Sequence, residues 1–213
     1  MRLLGVLSVL VGCHGAGSVA PDASTEPDVP PRSQGLTVTW TARPSVPGML
    51  TDKITVTDAV FQLEHLQLVS DAGGTTHTRL QLAWGGDGMP PNEEFPEAPV
   101  AHYQQILLDM RSDARPPFSY AYQIQGTWED DGDSGPFRIA DPMILEVPVA
   151  CDVMLPASGA VTVAIRLDLR NALNGINFKN LQMDNNGVRV LSSGPQLAGV
   201  REQLMHHAFV QDN

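Results

Sequence analysis

The sequence predicts an all-β fold: a two-layer antiparallel β-sandwich with one C-terminal helix. Three observations predict it. Runs rich in Thr, Val and Leu alternate apolar with polar residues at a period of two, as strands with one buried face do. Gly and Pro, at 19 and 17 residues, punctuate those runs as turns. Strand and helix patterns do not alternate, and helical spacing is confined to the end of the chain. A partly open barrel is the alternative arrangement of the same strands.

The run from Ile54 to Ser70 organises the rest. Ile54 and Val56, then Phe61 and Leu63, then Leu66 and Leu68 hold its apolar positions. The phase slips near Val60-Phe61 and again near His65-Leu66. A one-residue slip turns the apolar set to the other face, so each slip implies a bulge or bend. The run is one long bent strand or two strands sharing a corner, with sheet on both flanks. Ahead of it, Leu36 to Thr41 places Leu36, Val38 and Trp40 on one face, and Pro44, Pro47 and Gly48 end that strand. After it, Asp71, Gly73 and Gly74 turn the chain. Thr78 to Trp84 then returns as the second strand of a hairpin.

Gly85 to Pro99 is rich in Gly, Pro and acidic residues and reads as a long functional or mobile loop. His102 to Met110 and Phe118 to Trp128 are strands. Glu129 to Gly135 is a tight acidic turn, followed by short strands at Phe137–Ile139 and Ile144–Val149. Val161 to Leu169 alternates cleanly. Asn171 to Met183 reads as a short helix or an irregular crossover that buries Phe178 and Leu181. Asp184 to Gly187 is a turn, and Val188, Val190 and Leu191 form a last short strand. Ser192 or Ser193 suits a helix cap and Pro195 a first turn. Leu197, Val200, Leu204 and Ala208 then mark one apolar helical face.

Residues 1–12 have the form of an export leader: Arg2, then an apolar run from Leu3 to Val11 too short to span a bilayer. The run ends in Leu10-Val11-Gly12-Cys13, a bacterial lipobox with cleavage before Cys13 and lipid on its thiol. His14, rather than Asp, in the next position favours the outer membrane. Residues 13–35 hold four prolines among Ser, Ala, Asp and Glu and read as a disordered tether. Residues 36–213 are then a single sandwich domain, in a mature part of about 180 ordered residues, enough for one core. The mature chain carries 12 Lys plus Arg against 24 Asp plus Glu, a net charge of −12. That balance argues against nucleic acid and anionic lipid surfaces as partners. Membrane contact is expected through the lipid on Cys13.

No glycine-rich phosphate loop, HExxH, GxSxG or CxxC occurs, so the expectation is a non-enzyme. With Cys13 lipidated, Cys151 is a lone thiol in an apolar stretch, inert unless a base joins it, and only Asp152 is near. The turn carboxylates Asp130, Asp131 and Asp133 offer hard oxygens for calcium, but not at the spacing of the twelve-residue calcium loop; a solvated hairpin tip is the plainer reading. His65, His77, His102, His206 and His207 are candidate metal ligands, and with Met they would suit copper(I). Adjacent helical residues point about 100° apart, so His206 and His207 do not serve one metal by themselves. His65 in its strand is more simply a satisfied, half-buried histidine. Tyr120 and Tyr122 share a strand face, either as core or, facing outward, as a stacking platform for a sugar or peptide.

Val56 to Ser70 with the Asp-Ala-Gly-Gly turn resembles the early strand pair of periplasmic β-sandwich proteins associated with methanobactin operons. That resemblance implies an exported binding or accessory module, and a copper site built from histidine with tryptophan, for which His65, Trp84 and Trp128 are the available residues. The function expected is a membrane-anchored, non-enzymatic binding or structural module of the bacterial cell envelope, with a protein or glycan partner. A periplasmic copper-binding protein is the alternative.

Overall fold

The computed structural model describes residues 35–85, 88–112 and 119–210. Residues 1–34, with the expected leader, Cys13 and most of the expected tether, lie outside them. In chain order the strands begin with β1 (Leu36–Arg43), β2 (Gly48–Thr51), β3 (Ile54–Ser70), β4 (Gly73–Gly85), β5 (Glu93–Phe95), β6 (His102–Met110), β7 (Tyr122–Asp130), β8 (Asp133–Asp141), β9 (Leu145–Met154) and β10 (Val161–Asp168). Helix α1 (Leu169–Leu173) and a 3₁₀ turn (Phe178–Asn180) lead to β11 (Gln182–Met183) and β12 (Arg189–Leu191). Helix α2 (Pro195–His206) and β13 (Ala208–Val210) finish the described chain.

Two sheets face each other across one hydrophobic core. The smaller runs β13-β10-β1-β5 and the larger β11-β12-β8-β7-β3-β6-β9, with β2 and β4 also on β3. The class is the one the sequence predicts, with one difference in pairing. β1 lies parallel to β10, and β12 parallel to β8, while the other ladders are antiparallel. Parallel neighbours need long connections. Here those connections are β2 to β9 between β1 and β10, and β9 to β11 with α1 and the 3₁₀ turn between β8 and β12.

β3 is one bent strand with a shared side. Its first half, Ile54 to Phe61, pairs with β7, and its second half, Leu63 to Ser70, pairs with β6. Gln62 is the changeover: its N–H donates to Ala121 O at 2.8 Å, and its carbonyl accepts from Arg111 N at 3.0 Å. β4 lines the other side of β3 almost throughout. Two register shifts fall within the strand, between Val56 and Asp58 and between Leu63 and His65, and a third at its end, between Val69 and Ser70. The second is close to where the sequence places it; the first is earlier than Val60-Phe61. The bulge at Thr57 moves burial from Val56 to Ala59, Phe61 and Leu63, and the bulge at Glu64 moves it on to Leu66 and Leu68. Gly126 pairs with Val56 beside the first bulge, and a Cβ there would fall on the Thr55 carbonyl oxygen. The strand therefore needs glycine at that point.

Several elements exceed or replace their sequence readings. β4 begins at Gly73, five residues before the first apolar alternation at Thr78. The loop from Gly85 to Pro99 contains β5, which pairs with β1. The helix stops at His206, and Ala208 opens β13 against β10 rather than ending the helical face. Gly194, not a serine, occupies the N-cap, with φ +89° and no side-chain bond. Phe178 and Leu181 are buried as expected, in a short helix followed by an irregular crossover.

α2 covers the sandwich with Leu197, Val200 and Leu204. Arg201 on its side grips the fully buried Asp141 with two hydrogen bonds, Nε to Oδ2 and Nη2 to Oδ1, the latter at 3.0 Å. Asp141 also accepts from Met143 N, so the carboxylate's lone pairs are well used. No helix among the described residues is long and apolar enough to cross a membrane.

Candidate functional site

The five candidate histidines do not meet. His65, on the outer face of β3, places Nδ1 3.2 Å from Asp109 Oδ2, and Arg111 Nε donates to both oxygens of that carboxylate. His77, on β4, stacks on Phe95 at 3.8 Å and places Nδ1 3.3 Å from Glu93 Oε2, which joins the edges of the two sheets. His102, at the start of β6, contacts Asp152 at 2.5 Å. His206 and His207 end α2. Among the described residues, no group of three or more His, Cys, Asp or Glu is arranged to hold a metal ion. The histidine-with-tryptophan set does not assemble either, because Trp84 and Trp128 are core residues.

Tyr120 and Tyr122 do not share a strand face: Tyr120 is half-buried and precedes β7, whereas Tyr122 opens it as core. Tyr122 is fully buried and stacks with Phe61, whose other neighbour is Trp84 edge-on. Burial raises the Tyr122 hydroxyl far above its ordinary range, with the charge of Asp141 adding to it. The exposed large apolar side chains among the described residues are methionines and Ile144, not aromatics. Cys151 donates to Tyr103 O at 3.4 Å, and burial, with Asp152, pushes its thiol up to about 11. A thiol so raised is protonated at neutral pH and is a poor nucleophile.

The acidic turn is where separate segments converge. Asp131 and Gly132 both have positive φ, +51° and +83°, the mirror-image hairpin turn that Asp-Gly favours. The tip thereby holds Asp130 and Asp133 opposite each other in register. Each binds a lysine: Lys53 Nζ is 2.6 Å from Asp130, and Lys179 Nζ is 2.5 Å from Asp133. These are the only two lysines in the sequence. Lys53 comes from the turn between β2 and β3, and Lys179 from the 3₁₀ turn, so three segments are tied at one hairpin. The Lys53 hydrogen bond and charge hold the Asp130 carboxyl below its usual range, and Asp130 holds Lys53 above its own. With Asp130 and Asp133 committed to ammonium groups, the calcium loop is not assembled.

Behind these pairs lies a cleft of about 450 Å³ between Thr51–Ile54, Trp128–Asp130 and Asn174–Lys179. Its wall is apolar where Trp128 and Phe178 lie parallel at 6.4 Å, with Phe137 against Phe178. Its rim is polar, from Lys53, Lys179, Asp52, Glu129 and two asparagine amides. Asn177 holds the 3₁₀ turn in place by accepting from Asn180 N. A second hollow of about 280 Å³ shares Asp52, Lys53, Trp128 and Glu129 with it. A third, of about 540 Å³ between α1 and α2, shares Asn174, Gly175 and Ile176. Both the smaller and the larger hollow thus adjoin the cleft through shared lining residues. Lys53, Lys179, Asn174 and Asn177 carry no motif. The one hint in the sequence is the scarcity of lysine, which does not reveal that the two converge.

No family model, no curated protein and no solved structure matches this chain.

Proposed function

We propose that the protein is a lipid-anchored, non-enzymatic binding module of the bacterial cell envelope. It is held through lipid on Cys13, at the outer membrane, and presents the cleft beside Lys53 and Lys179 to an envelope partner. The observation that carries the binding reading is the cleft itself. Its walls come from three distant segments fastened at a single hairpin tip, and its surface mixes apolar floor with donors and acceptors of both signs. The non-enzymatic reading draws support from the protonated Cys151 thiol and from the commitment of Asp130 and Asp133 to lysines. The lipobox and the proline-rich stretch after it support the address.

The test is labelling with radioactive palmitate in a bacterial host, beside a Cys13→Ser variant. Label retained by the membrane fraction and lost with Cys13 supports the anchor. Equal labelling of the two, or none of either, overturns it.

A further inference from the structure

We propose that β1 and β10 form a clamp that holds tension between the membrane anchor and the cleft, a device that rests on the anchored-module reading and deepens it. Three placements carry it. The first is where the chain enters the fold. Gly35 O accepts from Val161 N at 3.1 Å, and Gly35 lies against Phe95 and Pro96. Backbone hydrogen bonds link that corner to the Ser70 end of β3: Ala98 N donates to Phe95 O, Leu155 N to Ala101 O, and Asp71 N to His102 O. The cleft lies at the other, Ile54 end of β3. The second is where β10 leads. Its last residue, Asp168, caps α1 by accepting from Arg170 N at 2.9 Å. Asn174 closes α1 and, with Gly175 to Lys179, makes one wall of the cleft.

The third is direction. β1 and β10 run parallel in unbroken register, from Leu36 beside Val161 to Arg43 beside Asp168. The anchor side enters β1 at its start, and the cleft wall leaves β10 at its end. A pull between the two draws the strands past each other along their shared axis. The evenly spaced bonds of a parallel ladder are then loaded together. An antiparallel β10 would leave at the Gly35 end, and the same pull would open the ladder one bond at a time. Sliding also strips packed side chains, because Leu36, Val38 and Trp40 on β1 and Val163, Ile165 and Leu167 on β10 are buried. The other partners are short: β5 matches β1, and β13 matches β10, over three residues each. Resistance of this kind slows rupture under load and is separate from equilibrium stability.

The experiment is single-molecule pulling on the full chain in detergent. Cys13→Ser and Cys151→Ala remove the native thiols, and new cysteines take the handles. Gln34→Cys with Asn174→Cys pulls along the ladder. Gln34→Cys with Ser158→Cys pulls the same β1 away from the start of β10. Asn174 and Ser158 are exposed. Should α1 open first, the load still arrives at Asp168. Rupture along the ladder is expected at about twice the force of rupture from its start, or more. Gly175→Cys, exposed and with open space at its Cβ, replaces Asn174→Cys if that variant does not fold. Equal forces in the two directions, or weaker rupture along the ladder, would overturn the clamp. The forces are read without lipid on residue 13, and the anchor is read by palmitate labelling, so the two readings fail separately.

Discussion

The two halves of β3 are the same kind of strand in different company. From Leu63 to Ser70 the strand is flanked by β4 and β6, and β5 of the smaller sheet meets β4 there through Phe95 on His77. Polar groups there are matched strand to strand, His65 on β3 with Asp109 on β6 and His77 on β4 with Glu93 on β5. From Ile54 to Phe61 it is flanked by β2, β4 and β7, and the chain must be brought back from α1 and the 3₁₀ turn to cover it. Polar groups at that end are matched across segments, through Lys53 and Lys179, and the cleft opens beside them. The difference shows how one sheet yields both a closed core and a recess. Where the second layer is itself a sheet, its period of two fills the space. Where the second layer is a short helix and an irregular crossover, packing relies on single residues such as Phe178 and leaves gaps.

That comparison can be broken hardest at the contact that docks α2. Asp141→Ala removes the carboxylate that answers Arg201 and leaves buried polar groups unmatched, at a cost of about 3–5 kcal/mol. Chemical denaturation should show the loss, and a midpoint unchanged from the parent would refute the assigned role. Next is Gly126→Ala, where the new methyl meets a backbone carbonyl and the Phe137 ring. Backbone cannot yield as a side chain does, so a loss of about 3 kcal/mol is expected. Hydrogen exchange should locate that loss in β7 and β8 before β6 and β9.

Smaller effects sharpen the contrast. Lys53→Met and Lys179→Met alter exposed ion pairs, so thermal midpoints should stay close to the parent. The same variants should change backbone chemical shifts around Asp130 and Asn177 and leave those around His77 in place. A large fall in midpoint would mean that the lysines hold the fold and not merely the cleft. The smallest effect is acid titration. The Asp130 carboxyl lies below its ordinary 3.8 because of Lys53, so its contribution is complete above that value. It is lost only as pH falls through the lowered folded value. Asp184, lowered by the N–H groups of Val188 and Asn186, follows the same sign. Carboxyl NMR titration should place both midpoints under 3.8, and a midpoint above it for Asp130 would dissolve the pair.

Much of the sandwich was legible because long strands carry their own pattern. β3 and β10 alternate over enough residues to fix strand and face together, and Asp131-Gly132 has the chemistry of its turn. The first half of β4, Gly-Gly-Thr-Thr-His-Thr, has no apolar residue to alternate and becomes strand only because β3 pairs with it. β5 and β13 span three residues each, too few to show any period. The parallel match of β1 with β10 leaves no local trace. The histidines were visible by type, but only the fold could show that His65, His77 and His102 each face a different carboxylate. The cleft was hidden for the same reason: its aromatic floor reads as core, and its lysines as ordinary surface.

The parallel pairing of β1 with β10 also sets a schedule. β1 has two strand partners, the three-residue β5 and β10, which begins at Val161. As the chain emerges, the strand nearest the N-terminus lacks its main partner until most of the domain exists. Closing so long a loop is slow, and an apolar strand waiting for it is open to pairing with other chains. The segment that joins the domain to whatever precedes it is thus among the last to be tied down. A chain held at its front end by a membrane would complete its fold with that end still loose.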